Sequence, residues 1–161
     1  MSRSILLSVR PRFAHALLAG TKTAEVRRQF PDVPPGTTAV IYSSSPEKAA
    51  LGTMRVRALV RSTKSAIWRD YSKAIGIRRA ELRDYLDGAR ECSILELDEP
   101  QIWASPVHLE QLRKTLHLEP AQSFRYLSDL QLSHLHNLAT PSPAETNWIM
   151  HTGNESTDGA A

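Results

Sequence analysis

Two hydrophobic periods alternate along this chain, and the points where one gives way to the other mark its elements. Ile5-Leu6-Leu7-Ser8-Val9 has strand character and is stopped by Arg10-Pro11, since proline has no N–H to give a ladder and suits the first turn of a helix instead. Phe13, Ala14, Leu17 and Leu18 then recur at helical spacing as far as Gly20, the expected left-handed cap. Thr21–Arg28 follows as a short strand loaded with charge. In it Thr23, Glu25 and Arg27 share one face and Ala24, Val26 and Arg28 the other, with Lys22 at the strand's mouth. Three prolines and a glycine make residues 30–36 a stiff loop ending in a turn, and Thr38–Tyr42 is a further strand broken by Ser43-Ser44-Ser45-Pro46. From Leu51 to Val60, Met54, Val56 and Ala58 alternate with Arg55, Arg57 and, just beyond, Arg61, which predicts an antiparallel strand with one core face and one positive face.

After Thr63 the period lengthens. Ile67, Tyr71, Ala74 and Ile75 predict one helix, Ala80–Leu86 a second, with Gly76 between them and Gly88 as the stop. Cys92–Leu97 and Gln101–Trp103 read as strand segments separated at Pro100, Val107–Arg113 as an amphipathic helix, and Leu127–Leu138 as another. His134 and His136 are two residues apart, on different faces of that helix, and are expected in solvent rather than on a shared metal. The whole reads as a single domain over residues 1–139 with a helical insertion at about 65–88. Residues 140–161, rich in Pro, Ser, Thr, Gly and Asn, read as a mobile tail.

Charge changes this picture because it is unevenly placed. Residues 1–69 carry twelve Lys or Arg against three Asp or Glu, and residues 70–161 carry eight against fourteen, so balances of plus nine and minus six make the net charge of +3. Unless the fold interleaves the halves, such a segment concentrates polyanions, of which nucleic acid is the commonest for a basic protein. The single cysteine, Cys92, excludes an internal disulfide and lies in an apolar run where a packed thiol is expected. The apolar stretch near the amino terminus is too short for a signal core, and no apolar run has membrane-spanning length, so a cytoplasmic location and no membrane partner are expected.

No phosphate-binding glycine loop, His-Glu-x-x-His or Gly-x-Ser-x-Gly is present, which removes the commonest hydrolase and nucleotidase classes and leaves neither a metal nor a cofactor expected. What remains is Lys22, Glu25, Arg27 and Arg28, with Arg10 and Arg12 brought near by the first helix. Lysine offers phosphate a compact charge and arginine a planar fork, whereas a carboxylate repels phosphate but accepts from the exocyclic amine of a base. Glu25 therefore either neutralises its arginine neighbours, reads a base, or moves a proton. The three hydroxyls from Ser43 either satisfy their own backbone or donate to phosphate and sugar oxygens.

Ser8-Val9-Arg10-Pro11, the helix ending Leu17-Leu18-Ala19-Gly20, and then Thr21–Arg28 resemble the Gly-x-Lys-x-x-Glu-x-Arg signature of the ASCH domain, a relative of the PUA fold. Pro35-Gly36, Val40–Pro46, the strand from Leu51 and Gln122–Leu127 resemble the branch described as predicted transcriptional regulators, with coverage of about residues 4–128. The resemblance implies an α+β fold, a small PUA-like β-barrel with flanking helices, and a cleft that binds RNA or a nucleotide. On that reading phosphates rest on Lys22, Arg27, Arg28, Arg55 and Arg57, with Arg10, Arg12 and the hydroxyls of Ser43 and Ser44 at hand, and Glu25 meets a base edge. A related branch deacetylates acetylcytidine with a lysine, a threonine and a glutamate. Lys22 matches that lysine, but Glu25 stands at the threonine position and no glutamate occurs near Ala74-Ile75-Gly76, so that activity does not carry over. Other ASCH proteins are similar to ribonucleases, which keeps open an RNA or modified-nucleoside hydrolase using Lys22 and Glu25. A duplex-DNA regulator would want a recognition helix, for which Ile77–Leu82 is a thin candidate. Trp68, beside Arg69, is the better stacking candidate and Trp103 is expected in the core, while the oligomeric state has no signal in the sequence.

Overall fold

The computed structural model describes residues 3–140. Six strands and five helices run in the order β1 (Ser4–Val9), α1 (Pro11–Ala19), β2 (Ala24–Arg27), β3 (Thr38–Ser43), β4 (Ala49–Ser62), α2 (Lys64–Tyr71), α3 (Arg79–Tyr85), β5 (Cys92–His108), α4 (Leu109–Leu116), β6 (Phe124–Leu127) and α5 (Asp129–Ala139). The expected tail lies outside the described residues apart from Thr140, and so does Trp148.

The strands form one mixed sheet in the order β2-β5-β4-β3-β1-β6, in which only β1 and β3 are parallel. It curls into a half-barrel with β2 and β6 at its edges, the α+β fold expected of a PUA-like domain. Every residue of β1 is buried. Its side chains divide by the two-residue period: Ile5, Leu7 and Val9 join α1 in one core, and Leu6 joins α4 and α5 in a second on the opposite face. A third core lies under α2 and α3, where Ile67, Ile75, Leu82 and Leu86 meet Ala24, Val26, Cys92 and Ile94. The Cys92 thiol is a packed group there, and burial pushes its pKa up.

Three expectations of regular structure need correction. The charged segment contributes only Ala24–Arg27 to the sheet, because the α1 cap takes up what precedes it: Gly20 sits at φ 81° and the amides of Thr21 and Lys22 both donate to the Ala16 carbonyl. The strand around Pro100 is not interrupted. Pairing passes from Thr53 opposite Gln101 to Arg55 opposite Asp98, so Met54 faces both Glu99 and Pro100. The extra residue is absorbed in a β-bulge with Glu99 at φ 51°, a place where a missing proline N–H breaks no ladder bond. Two residues before Met54 on the same strand, Gly52 is required, since a Cβ there would run into the Gln101 carbonyl oxygen. Finally, Val107 and His108 close β5 instead of opening a helix, which begins only at Leu109, and Phe124–Leu127 forms β6 against β1 before α5 begins. α5 starts one residue after Ser128, whose side chain accepts from the Gln131 amide while Gln131 Oε1 accepts from the Ser128 amide.

Candidate functional site

The α1 cap delivers Lys22 to the sheet edge, and β2 holds Glu25 and Arg27 beside it. Lys22 Nζ lies 3.2 Å from Glu25 Oε1 and donates to the Ile75 carbonyl. Arg27 Nη2 lies 3.0 Å from Glu25 Oε2 and donates to the Ser8 carbonyl at 2.8 Å, while Nη1 reaches Ser123 Oγ at 3.2 Å. The Lys22 and Glu25 side chains are 2% and 8% exposed and that of Arg27 12%, so this is a buried ion cluster and not the solvated edge strand that its composition also allowed. Burial pushes the Lys22 ammonium below its usual range, against the opposing pull of Glu25. The Phe13 ring lies 4.8 Å from Nζ, and the Lys22 stem lies on Gly76.

This cluster forms one wall of a cleft of about 1040 Å³. The parallel strands β1 and β3 end side by side at it, Val9 opposite Ser43. The loop carrying Ser44, Ser45 and Lys48, the start of α1, the body of α3, Leu109 and Arg113 of α4, and the segment at 119–123 also line it. Seven cationic side chains and four carboxylates face it.

Of the residues singled out from sequence, Arg10, Arg12, Lys22, Glu25, Arg27, Arg28 and Ser44 converge on this cleft. Arg12 pairs with Glu81, joining α1 to α3, and Arg28 donates to the carbonyls of Tyr85 and Asp87 at 3.0 and 2.8 Å. Ser43, Arg55 and Arg57 do not line it. Ser43 is still on β3 and has no exposed surface. Arg55 stands opposite Thr38, at the other end of β3 from the cleft, where it pairs with Glu99 at 3.4 Å. Arg57 is two residues further along β4 and exposed to solvent. The alternating arginine face exists, but it is turned elsewhere, and Arg61 is paired with Asp32 at 2.7 Å. Ion pairs such as Arg12–Glu81 and Arg55–Glu99 also bring the basic and acidic halves of the chain together.

Several lining residues had no sequence signal of their own. Tyr42 follows Ile41 on β3 and is 5% exposed; burial pushes its phenol above 10.0, with Arg113 opposing and Glu119 reinforcing the rise. Lys48 is exposed, with its backbone in the left-handed region at φ 53°. That conformation is uncommon outside glycine and persists where surrounding structure over-determines it. Here the Lys48 amide donates to the Ser44 carbonyl and its carbonyl accepts from Leu109, the first residue of α4. Ser123 enters through Arg27, and Arg113 is held by both carboxylate oxygens of Glu119 at 2.8 Å. Trp68 is partly buried with the Arg79 guanidinium 5.7 Å from its ring and does not line the cleft, and Trp103 is partly buried at the second core. Among the described residues no three His, Cys, Asp or Glu side chains are grouped to hold a metal, and no helix is long and apolar enough to cross a membrane.

Comparison with known proteins places these features. Residues 4–115 match the model of a family described as "Domain of unknown function (DUF365)". An ASCH domain-containing ribonuclease of Zymomonas mobilis subsp. mobilis is 28% identical over 126 residues, which cover 78% of this chain and 84% of the relative. The crystal structure of ASCH from Zymomonas mobilis has a TM-score of 0.81 at 27% identity, over 85% of this chain and 96% of that one, and variants of it with Tyr changed to Phe and Ser changed to Ala match comparably. Human THYN1, solved with 5-methylcytosine-containing DNA, shares the fold at a TM-score of 0.59 and 10% identity, over 88% of this chain and all of that one.

Proposed function

The chain belongs to the DUF365 family and has the ASCH, PUA-like fold, and on that footing we propose that it binds RNA in the cleft beside Glu25. The observation that carries this reading is the division of labour among the lining cations. Lys22 and Arg27 are spent on Glu25, whereas Arg10 and Lys48 are exposed and have no ion-pair partner among the described residues. Arg28 is held by neutral carbonyls that leave its charge uncompensated. These three supply the phosphate contacts, with Ser44 and Ser45 as neutral donors between them. The Ser8 carbonyl and the Ser123 hydroxyl behind Arg27 keep its fork oriented.

Phosphate contacts of this kind release counterions, so log K falls with log salt by about 0.7 per contact for a single strand. Titrating a labelled oligoribonucleotide at two salt concentrations should therefore give a steep loss of affinity, and a flat response removes the reading. A regulatory role of the kind the resemblance implies, exercised in the cytoplasm, corresponds to RNA held without turnover.

A second reading, cleavage of the bound RNA, is favoured by the named activity of the Zymomonas relative and by one local fact. The cleft holds a tyrosine and a serine, Tyr42 and Ser123, of the residue types replaced in the Zymomonas variants, together with the exposed ammonium of Lys48. Tyr42 stays protonated at neutral pH and donates, and Lys48 meets charge developing on a phosphoryl oxygen. This moves the candidate chemistry away from Lys22 and Glu25, which are buried and paired with each other. Incubation with structured RNA and with acetylcytidine decides the matter: product formation lost in Tyr42→Phe or Lys48→Ala supports cleavage, and no product leaves RNA binding alone.

A further inference from the structure

Among the described residues four large apolar side chains are well exposed: Tyr85, Ile102, Tyr126 and Leu130. Only Tyr85 lines the cleft. It stands at the carboxyl end of α3, 44% exposed, on a helix that the buried Leu82 and the following Leu86 fix to the third core. Arg28 reaches across from the end of β2 to the carbonyls of Tyr85 and Asp87, so the backbone under the ring is tied to the same strand that carries Glu25 and Arg27. The preceding residue, Asp84, also lines the cleft and is exposed.

An exposed ring at a fixed position, with a cation at its base, in a cleft that offers phosphate contacts elsewhere, has the two components of a single-strand site: an electrostatic track for the backbone and an aromatic face for a base. The ring adds nothing to the capture of a duplex, whose bases are already stacked on each other. A carboxylate next to it accepts from amino groups on a base edge, which a duplex hides in pairing. We propose that Tyr85 is the stacking platform for an unpaired base, and that it makes the cleft select single-stranded over duplex RNA. The proposal rests on RNA being the ligand of the cleft. It assigns the aromatic role to Tyr85 and not to Trp68, which packs into the third core beneath Arg79.

The test is a set of binding titrations with the full-length protein, Tyr85→Ala and Tyr85→Phe, each against a single-stranded oligoribonucleotide, the same strand with abasic residues, and its duplex. Tyr85→Ala should weaken single-strand binding about thirtyfold, the central value for loss of one stacked base, and Tyr85→Phe should retain it. The abasic strand should bind the native protein about as weakly as the intact strand binds Tyr85→Ala, with no further loss on mutation, and the duplex should be bound more weakly and be insensitive to the change. The salt slope should stay the same in all three proteins, since no phosphate contact is removed. Unchanged single-strand affinity in Tyr85→Ala, or an equal loss for intact and abasic strands, overturns the proposal while leaving RNA binding intact. Failure of the native protein to bind any of the three ligands overturns the RNA reading itself, and this inference with it.

Discussion

Two groups of charged residues share one cleft and differ in what surrounds them. The Lys22–Glu25–Arg27 cluster is buried, each charge opposed by another, with further protons given to the Ile75 and Ser8 carbonyls and the Ser123 hydroxyl. The rim made by Arg10, Ser45 and Lys48, with the half-buried Ser44 among them, faces solvent and has its side-chain hydrogen-bonding capacity in reserve. On the proposed reading, signature residues and ligand-binding residues are therefore different sets. The buried cluster is an internal clamp: Lys22 ties the Ile75 backbone, between α2 and α3, to the sheet edge, and Arg27 ties the end of β1 to Ser123, just before β6. What it contributes to the cleft is shape, and the rim contributes available charge.

The sharpest way to break this contrast is Glu25→Ala, which leaves Lys22 and Arg27 buried without a counter-charge. Removing one partner of such a cluster costs about 3–5 kcal/mol. Urea unfolding should show that loss, and a change under about 1 kcal/mol would mean the cluster holds nothing together. Lys48→Ala is the converse experiment. Stability should stay within about 0.5 kcal/mol, as for exposed side chains generally, while RNA affinity falls and the salt slope drops by about 0.7, the value of one single-strand contact. A stability loss as large as that of Glu25→Ala would erase the distinction between wall and rim.

A smaller effect belongs to the buried phenol of the cleft, Tyr42. Burial raises the phenols of Tyr42 and Tyr71, the latter reinforced by its 3.0 Å hydrogen bond to Glu96. Because each folded value lies above the unfolded value near 10.0, the associated stability is complete below pH 10 and is lost as pH rises through the folded values. An alkaline absorbance titration should show late phenolate formation from Tyr42 and Tyr71, and Tyr42→Phe should remove one of the two steps. A late phase of unchanged amplitude in Tyr42→Phe would reassign it.

Local chemistry made much of the fold legible. Pro11 and Gly20 bracket α1, the apolar run at Ile5–Val9 is the fully buried β1, and the alternation along β4 does set apolar against arginine. It failed at Pro100, where the partner strand accommodates the proline in a bulge, and at Phe124–Leu127, where a four-residue strand has too few side chains to display a period. The site was legible in part for a related reason. Lys22, Glu25, Arg27 and Arg28 adjoin in the chain, so their grouping survives any fold that keeps the segment together. Arg55 and Arg57 had the right chemistry in the wrong place, at the end of the sheet away from the cleft.

What the order of residues determined, then, is whatever depends on near neighbours: where helices begin and end, which face of a strand is apolar, and that one short segment gathers charges of both signs. Tertiary structure decided which of those charges meet water. Lys22 and Lys48 are the same side chain in opposite surroundings, because one is covered by Phe13, Gly76 and the α2–α3 connection and the other stands on an uncovered loop. Desolvation is a property of everything packed around a group, contributed by residues far away in the chain, and no local pattern encodes it.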